Sequence, residues 1–307
     1  MNTVAIIGAG VIGAGWAARF YLNGWRVQVL DPSPDAERIV RETVARARSH
    51  VAALEGSDPR EGALVFADAM EVALVGVDWV QESLPEDIEL KTTVLRELDT
   101  MVPVGIPICS STSGFKPSVL GDTMLNTYRL FVCHPFNPVY LLPLVEVVPH
   151  ADVPTEAIES ACTNLDHLGM RPLRVRKEID GHIADRLLEA MWREALWLVH
   201  DDIATTDEVD SAIKYGFGLR WAQMGLFETY RLGGGEAGMR HFLEQFGPAL
   251  QWPWTKLTDV PDLNSALIEK IANQVEAQTG DKTVTEMMEE RDQNLVAIMN
   301  ALGRTTN

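Results

Sequence analysis

The stretch Gly8-Ala9-Gly10-Val11-Ile12-Gly13 directly follows an apolar run, Thr3 to Ile7, and opens a helical pattern from Val11 to Asn23. A strand, a glycine turn and a helix in this order let the backbone approach a pyrophosphate and offer it helix N-terminal amides. A second apolar run, Arg26 to Leu30, follows, and Asp31 ends it eighteen residues after the last of these glycines. The spacing predicts a βαβ unit that binds a dinucleotide.

Asp31 predicts which dinucleotide the turn would hold. A carboxylate at the end of the second strand can accept hydrogen bonds from both adenosine ribose hydroxyls, and it repels a 2′-phosphate. No arginine follows directly in Asp31-Pro32-Ser33-Pro34. We therefore expect NAD rather than NADP, although Asp31 could also simply begin a turn before Pro32.

The alternation of strands and helices continues to about Lys177. Further strands are predicted at residues 64–66, 78–81, 106–110, 130–134, 144–148 and 173–175, with helical segments between the earlier ones. Such alternation predicts an α/β fold with a Rossmann-like, doubly wound, mostly parallel sheet. We assign residues 1–178 to this NAD-binding domain.

The pattern beyond that boundary is helical. Apolar residues recur at helical spacing at Ile183, Leu187, Met191, Ala195 and Val199. Shorter helices are predicted at residues 206–215, 235–245, 264–278 and 284–302. We therefore expect a smaller, all-helical domain over residues 179–307.

The composition favours a small-molecule partner. The 307 residues are 46% hydrophobic and carry a net charge of -18, which repels nucleic acid and anionic membranes. Cys109, Cys133 and Cys162 are odd in number and widely spaced, so neither a disulfide framework nor a zinc site is expected. No basic and apolar leader and no apolar run of about 18 residues is evident, which favours a cytoplasmic protein.

A second constellation joins a histidine to a carboxylate. Glu146 lies in the apolar run Leu144-Val145-Glu146-Val147-Val148, where burial of its charge would require a partner. His134 ends a predicted strand twelve residues earlier, and the prolines between them could bend the chain so that the side chains meet. A solvated strand face for Glu146 and a core position for His134 stay open as the alternative.

The segment His134-Pro135-Phe136-Asn137-Pro138, with Glu146 beyond it, resembles the signature of the 3-hydroxyacyl-CoA dehydrogenase family. Ser110-Ser111-Thr112-Ser113 matches that family's serine motif, and Gly181 to Leu188 matches its interdomain helix. The resemblance covers nearly the whole chain. It implies that His134 is a catalytic base, that Glu146 orients it, and that Ser113 contacts both substrate and nicotinamide.

The same resemblance implies cofactor contacts at Glu86 and Lys91, for which a solvated helix face is the alternative. It implies no metal, and the remaining histidines have no metal-ligand spacing and are expected at the surface or in packing. These are His50, His150, His167, His182, His200 and His241.

Two departures from the family pattern bear on the substrate. Asp185 replaces the usual asparagine of the interdomain helix, and Gly218-Leu219-Arg220-Trp221-Ala222-Gln223-Met224-Gly225 replaces a glycine-proline-rich segment. The stretches Pro135 to Val148, Gly181 to Leu188 and Gly218 to Leu250 resemble the branch of the family that oxidises L-carnitine, a free hydroxy acid, rather than acyl-CoA. The L-gulonate 3-dehydrogenase branch, which includes lambda-crystallin, stays open, as does a noncatalytic, crystallin-like NAD-binding protein.

A zwitterionic substrate would give the departures a role. Arg220 could clamp a carboxylate, and Asp185 could serve beside the catalytic pair and attract a trimethylammonium group. Surface or locally paired charges are the alternative. Aromatic faces also bind such a cation. The candidates are Tyr140, Trp192, Phe217 and Trp221, for which a position in the apolar core is the alternative.

Oligomerisation is expected on two grounds. The resemblance implies a homodimer, and the helical domain carries apolar surface, such as Trp252-Pro253-Trp254, that a small bundle would leave uncovered. The interface is therefore expected beyond Lys177.

Overall fold

A computed structural model of the protein describes residues 1–222, 224–233, 242–245, 253–255, 262, 264–270, 273 and 283–303. The helices predicted at residues 235–245 and 264–278 lie partly outside these residues, and His241, Gln223 and Trp252 lie outside them altogether. No helix within the described ranges is both long and apolar enough to cross a bilayer.

Eight strands form one sheet. They are β1 (Thr3–Ile7), β2 (Arg26–Leu30), β3 (Ala63–Phe66), β4 (Trp79–Glu82), β5 (Ile108–Ser110), β6 (Leu130–Pro135), β7 (Leu144–Pro149) and β8 (Arg171–Arg174). The order is β3-β2-β1-β4-β5-β6-β7-β8, and only β6 and β7 pair antiparallel. The predicted Rossmann-like sheet is confirmed, with strand ends shifted by one or two residues.

Helices connect the strands and follow the sheet. They are α1 (Val11–Leu22), α2 (Ala36–Glu55), α3 (Met70–Ala73), α4 (Ile88–Met101), α5 (Pro117–Leu120), α6 (Thr155–His167), α7 (Ala184–His200), α8 (Thr206–Ala212), α9 (Gly218–Trp221), α10 (Leu226–Gly233) and α11 (Val284–Ala301). Asp87 begins α4, because its side chain accepts hydrogen bonds from the backbone N–H groups of Glu89 and Leu90.

The core lies on both faces of the sheet. In β1, Val4 and Ile6 pack into one apolar cluster, whereas Ala5 and Ile7 pack into the other. Successive side chains of a strand point to opposite faces, so a parallel strand covered on both sides is apolar throughout. This burial explains the uninterrupted apolar run at the start of the chain.

Contacts divide the chain into two compact units. One comprises Met1–Arg186 together with Glu290–Asn307, and the other comprises Leu187–Glu289. Most of α11 therefore returns to the unit that contains the sheet. The division of the chain after residue 178 stays a prediction.

The sheet has a switch point beside β1. β2 and β4 flank β1 on opposite sides, so the chain winds away from β1 in two directions. In open α/β sheets, ligands bind in the crevice outside the carboxyl ends of the strands at such a point. The glycine turn after β1 lies there.

Candidate active site

The glycine turn connects β1 to α1. Gly8 has a φ of 94°, and a Cβ there would lie 2.6 Å from the Ser83 carbonyl oxygen. A Cβ on Gly13 would lie 1.9 Å from the Gly8 carbonyl oxygen, so neither position accepts a side chain. A Cβ on Gly10 would meet no described atom within 4 Å. The turn therefore leaves open space where a pyrophosphate can approach the backbone.

Asp31 lies one residue beyond β2, against the same turn. Its Oδ2 accepts a hydrogen bond from the Ala9 backbone N–H at 2.7 Å, and its Oδ1 accepts one from Ser33 at 2.7 Å. Each carboxylate oxygen has a further lone pair, which can accept a ribose hydroxyl. The turn and Asp31 together fit the adenosine half of NAD.

A cavity of about 750 Å³ opens at the carboxyl ends of the central strands. It is lined by Gly8, Gly10, Val11, Ile12, Asp31, Pro32, Ser83, Leu84, Pro85, Glu86, Leu90, Ser111, Ser113, His134 and Pro135. Ala9 and Gly13 shape the turn without lining the cavity. The structure thus brings most of the predicted cofactor residues together with His134 and Ser113.

His134 and Glu146 face each other across the antiparallel pair β6 and β7, where they are register partners. His134 Nδ1 lies 3.0 Å from Glu146 Oε2. His134 is 7% exposed and Glu146 is fully buried. Cross-strand partners lie on the same face of a sheet, which brings these two side chains together. The solvated-face alternative for Glu146 is therefore wrong.

Glu146 is held by backbone as well as by His134. Its Oε1 accepts hydrogen bonds from the N–H groups of Ile183 at 2.8 Å and Ala184 at 3.0 Å, where α7 begins. Burial acts to raise the pKa of Glu146, but the hydrogen bonds from His134, Ala184 and Ile183 outweigh it and lower the pKa below its usual value. Glu146 is therefore a carboxylate at neutral pH, placed at a helix N-terminus that favours its charge.

Asp185 approaches the other nitrogen of the same imidazole. Its Oδ2 lies 3.9 Å from His134 Nε2, and its side chain is 23% exposed. The ring of His134 therefore has a carboxylate near each nitrogen, Glu146 at Nδ1 and Asp185 at Nε2. Such an arrangement stabilises a positive charge that forms on the ring.

The serine loop after β5 forms the neighbouring wall. Ser111 Oγ accepts hydrogen bonds from Trp16 Nε1 at 3.2 Å and Gln81 Nε2 at 2.8 Å, and it lies 2.8 Å from Ser83 Oγ. This hydroxyl fixes the loop to α1 and to β4. Ser113, two residues further on, lines the cavity with His134.

Lys91 lies behind the cavity wall. Its side chain is 1% exposed, and its Nζ donates to Glu82 Oε1 at 2.8 Å and to the Leu84 carbonyl oxygen at 3.1 Å. Glu86 lines the cavity, with its Oε2 3.5 Å from the same Nζ. Both interpretations of Lys91 from the sequence need correction: the structure gives its side chain neither the cavity surface nor a solvated helix face.

Sequence reasoning missed Glu82. This fully buried carboxylate ends β4, one residue beyond the predicted strand, and it is the partner of Lys91. The signal that drew attention to Glu146 was available here too. A carboxylate that ends an apolar strand needs a buried partner.

Tyr140 is a core residue, which corrects its prediction as a substrate contact. It is 3% exposed, it packs in an apolar cluster, and its hydroxyl donates to Asp292 Oδ2 on α11. Burial and then the Asp292 hydrogen bond raise the pKa of Tyr140 to about 12. The ring does not line the cavity.

The remaining predicted substrate residues belong to the unit Leu187–Glu289. The rings of Phe217 and Trp221 lie 4.6 Å apart between centroids. Trp192 is 55% exposed, and Arg220 is exposed. Their substrate roles stay predictions.

His182 is a second histidine near the pair of His134 and Glu146. It is fully buried, and its ring centroid lies 5.8 Å from that of His134. Burial, followed by the charge of His134, lowers the pKa of His182. Within the part of the chain that the structure describes, no group of three or more potential ligands could hold a metal ion.

Comparison with protein families gives two adjacent matches. The NAD binding domain of 3-hydroxyacyl-CoA dehydrogenase matches residues 3–179. The C-terminal domain of the same enzyme family matches residues 181–266.

Relatives that match nearly the whole of this chain carry names that include carnitine. The "L-carnitine dehydrogenase/betainyl-CoA thioesterase" of Ruegeria pomeroyi is 56% identical over 98% of this chain, which spans 62% of that protein. The L-carnitine dehydrogenase of Mesorhizobium japonicum is 51% identical, with 99% of this chain and 84% of that protein covered. That of Oceanobacillus iheyensis is 48% identical, with 97% of each chain covered.

Solved structures share the fold. FHMPC 5-dehydrogenase, an NAD+ dependent dismutase, has a TM-score of 0.83 at 25% identity, with 99% of each chain covered. The 3-hydroxyacyl-CoA dehydrogenase of Archaeoglobus fulgidus has a TM-score of 0.63 at 22% identity, with 99% of this chain and 100% of that chain covered. The family matches over most of the chain, together with the fold and the cavity at its switch point, assign the protein to the 3-hydroxyacyl-CoA dehydrogenase family, with residues 3–179 as its NAD-binding domain.

Proposed function

We propose that this protein oxidises the secondary hydroxyl group of L-carnitine with NAD, which gives 3-dehydrocarnitine. The observation that carries the proposal is the buried His134–Glu146 pair beside the cavity of the NAD-binding domain. The choice of substrate is supported by relatives with 46–56% identity that are named for L-carnitine.

His134 is the proposed base. An ionised Glu146 can only accept a hydrogen bond, so it fixes the ring proton of neutral His134 on Nδ1. Nε2 then carries a lone pair, which can take the proton of the substrate hydroxyl. The carboxylates of Glu146 and Asp185 stabilise the positive ring that results.

The cofactor supplies a hydride acceptor when it is bound. In the proposed complex the backbone of Gly8 to Gly13 holds the pyrophosphate, and Asp31 accepts the ribose hydroxyls. The Ser113 hydroxyl, which lines the same cavity as His134, holds the substrate oxygen and the nicotinamide in position.

The charge of the cavity favours a cationic substrate over acyl-CoA. Its described lining contains the carboxylates of Asp31 and Glu86 but no lysine or arginine. Asp185, near His134, adds a carboxylate that attracts the trimethylammonium group of L-carnitine.

Residues of the unit Leu187–Glu289 are proposed as further substrate contacts. The Phe217 and Trp221 rings can offer faces to a quaternary ammonium group, which cannot donate a hydrogen bond, and Trp192 offers another exposed ring. The planar guanidinium of Arg220 can bind the substrate carboxylate through two hydrogen bonds.

Formation of NADH by the purified protein tests the function. L-carnitine, L-gulonate and 3-hydroxybutyryl-CoA are supplied separately with NAD, and absorbance reports the reduced cofactor. We expect turnover with L-carnitine. If only L-gulonate or only the acyl-CoA is turned over, that compound replaces L-carnitine as the assigned substrate. Turnover with none of the three would favour a noncatalytic NAD-binding protein.

The Asp185→Asn variant tests the charge argument. We expect KM for L-carnitine to rise on the order of tenfold, because one cation–carboxylate attraction is lost, while KM for 3-hydroxybutyrate changes less. Asp180→Asn is the matched control, since Asp180 pairs with Lys116. Arg220→Met should impair both acids; equal, small effects of Asp185→Asn and Arg220→Met on both substrates would place recognition elsewhere.

A further inference from the structure

We propose that the buried ion pair of Glu82 and Lys91 positions the nicotinamide part of the cavity, with Glu82 as the central positioning residue. The proposal deepens the proposed function, since it rests on NAD as the cofactor. It is independent of which hydroxy acid is oxidised, because its test measures binding.

Glu82 joins three different segments. Its Oε1 accepts hydrogen bonds from Lys91 Nζ at 2.8 Å and from the Leu84 backbone N–H at 2.6 Å. Its Oε2 accepts one from Ser110 Oγ at 2.5 Å. Glu82 and Ser110 end the neighbouring strands β4 and β5, and Lys91 lies on α4. One fully buried carboxylate therefore fixes the ends of two strands relative to a helix.

The ion pair holds the wall formed by Leu84 to Glu86. The Leu84 N–H donates to Glu82, and the Leu84 carbonyl oxygen accepts from Lys91 at 3.1 Å. Both polar backbone groups of Leu84 are thus hydrogen-bonded to the ion pair. Leu84, Pro85 and Glu86 all line the cavity, so their position depends on the pair.

The same pair reaches the serine wall. Ser110 Oγ, which donates to Glu82, accepts from the Thr112 backbone N–H at 3.3 Å. Thr112 Oγ1 donates to Glu86 Oε1, which also lies 3.3 Å from the Gly114 backbone nitrogen. Ser113, between these residues, is therefore held from both sides. β5 neighbours β6 in the sheet, so this wall lies next to the strand that carries His134.

Fold stability alone gives a weak reason for these charges. Apolar side chains of similar size often replace a buried ion pair without loss of stability. The same unit contains a second buried pair for comparison, Asp99 and Arg129, whose nitrogen and oxygen lie 2.8 Å apart. Asp99 also holds backbone N–H groups, those of Leu125 and Asn126. None of these residues lines the cavity.

The two pairs provide a matched experiment. In one variant Glu82→Leu is combined with Lys91→Met, and in the other Asp99→Leu is combined with Arg129→Met. Calorimetry then measures the affinity of each full-length variant for NADH and for ADP-ribose, which lacks the nicotinamide. Circular dichroism confirms that each variant is folded.

We expect the Glu82–Lys91 variant to bind NADH on the order of tenfold more weakly while its affinity for ADP-ribose changes little. The Asp99–Arg129 variant should keep the wild-type ratio of the two affinities. An unchanged ratio in the first variant, or an equal change in both variants, would overturn the proposal.

If the Glu82–Lys91 variant does not fold, Ser110→Ala replaces it, because this change removes only one hydrogen bond to Glu82. We expect a loss of about threefold in NADH affinity, with ADP-ribose affinity retained. If Ser110→Ala does not lose NADH affinity selectively, the proposal is overturned. A wild-type protein that binds NADH but does not oxidise L-carnitine would refute the proposed substrate and leave this test intact.

Discussion

At the scale of single residues, the proposed mechanism requires Glu146 to orient the imidazole of His134. The carboxylate accepts a hydrogen bond from His134 Nδ1 on one oxygen and two backbone N–H groups on the other. Its lowered pKa keeps it ionised, so it acts as an acceptor throughout the neutral range. Nε2 of His134 is thereby left as the basic nitrogen.

Replacement of Glu146 by glutamine should reverse this tautomer. A glutamine amide can donate to Nδ1, which moves the ring proton to Nε2 and removes the base from the substrate side. We expect kcat to fall on the order of 10²-fold and its pH profile to shift. Asp152→Asn is the control, because Asp152 is an exposed partner of His150 and should leave kcat unchanged. An unaltered pH profile would contradict the orienting role.

The lowered pKa of Glu146 also predicts how the stability of the Glu146→Gln variant depends on pH. The pKa of Glu146 is lower in the folded protein, so its contribution is present above the pKa of the unfolded carboxyl and is lost as pH falls through the folded value. The free energy of unfolding of Glu146→Gln should therefore differ most from wild type near neutral pH. Denaturant unfolding should show the difference shrinking below about pH 4. A constant difference at all pH values would contradict the shift.

At the scale of secondary structure, most of α11 belongs to the unit that contains the sheet. Tyr140, between β6 and β7, donates its hydroxyl to Asp292 on this helix. Val296 and Met299, one and two turns further along, pack in the same apolar cluster as Tyr140. The last helix therefore stabilises the chain segment that connects the strand of His134 to the strand of Glu146.

Tyr140→Phe should weaken this attachment without affecting recognition. Asp292 would lose one hydrogen bond while it remains buried, so the free energy of unfolding should fall by about 1–3 kcal/mol. KM for L-carnitine should not change, since the ring lies away from the cavity. Thermal unfolding measures this loss of stability. Tyr21→Phe is the control: it removes a more exposed hydroxyl contact, with Glu61, and should lower the free energy of unfolding by less. A raised KM with wild-type stability would restore Tyr140 as a substrate residue.

Local patterns determine which elements the sequence predicts well. The glycine turn and Asp31 are separated by one helix and one strand, so their spacing alone is informative. The apolar runs predict both β6 and β7, and the antiparallel register of the two strands places His134 opposite Glu146. The contact of Glu82 with Lys91 depends on the direction of α4 relative to β4, which no residue spacing specifies. The prediction of Tyr140 as a substrate contact was wrong for the same reason, because no local pattern indicates whether its ring packs in the core or faces the cavity.

At the scale of the whole molecule, the unit Leu187–Glu289 has several large apolar side chains that are exposed. Ile203, Tyr215 and Phe227 are 71%, 78% and 76% exposed, respectively. Large exposed apolar surfaces mark interaction sites in soluble proteins. The cavity and the catalytic pair, by contrast, belong to the other unit.

We expect a homodimer whose interface includes these exposed side chains. Light scattering on the purified protein at micromolar concentration should give twice the chain mass of 34.0 kDa. Phe227→Glu combined with Ile203→Glu should reduce the dimer fraction, because it places charges on the apolar surface. Exposed apolar residues of the sheet unit provide the control, with Val104→Glu and Leu125→Glu expected to leave the mass unchanged. A monomeric wild-type mass would contradict the expectation.

The fate of one hydrogen atom tests the central claim most directly. L-carnitine with deuterium on its carbinol carbon is incubated with NAD and the protein, and mass spectrometry measures the label in the reduced cofactor. We expect deuterated NADH from wild type and none above background from His134→Ala, which should still bind NAD through the glycine turn. Label transfer that persists in His134→Ala, or no label transfer by a folded wild type, would contradict oxidation of L-carnitine by NAD with His134 as the base.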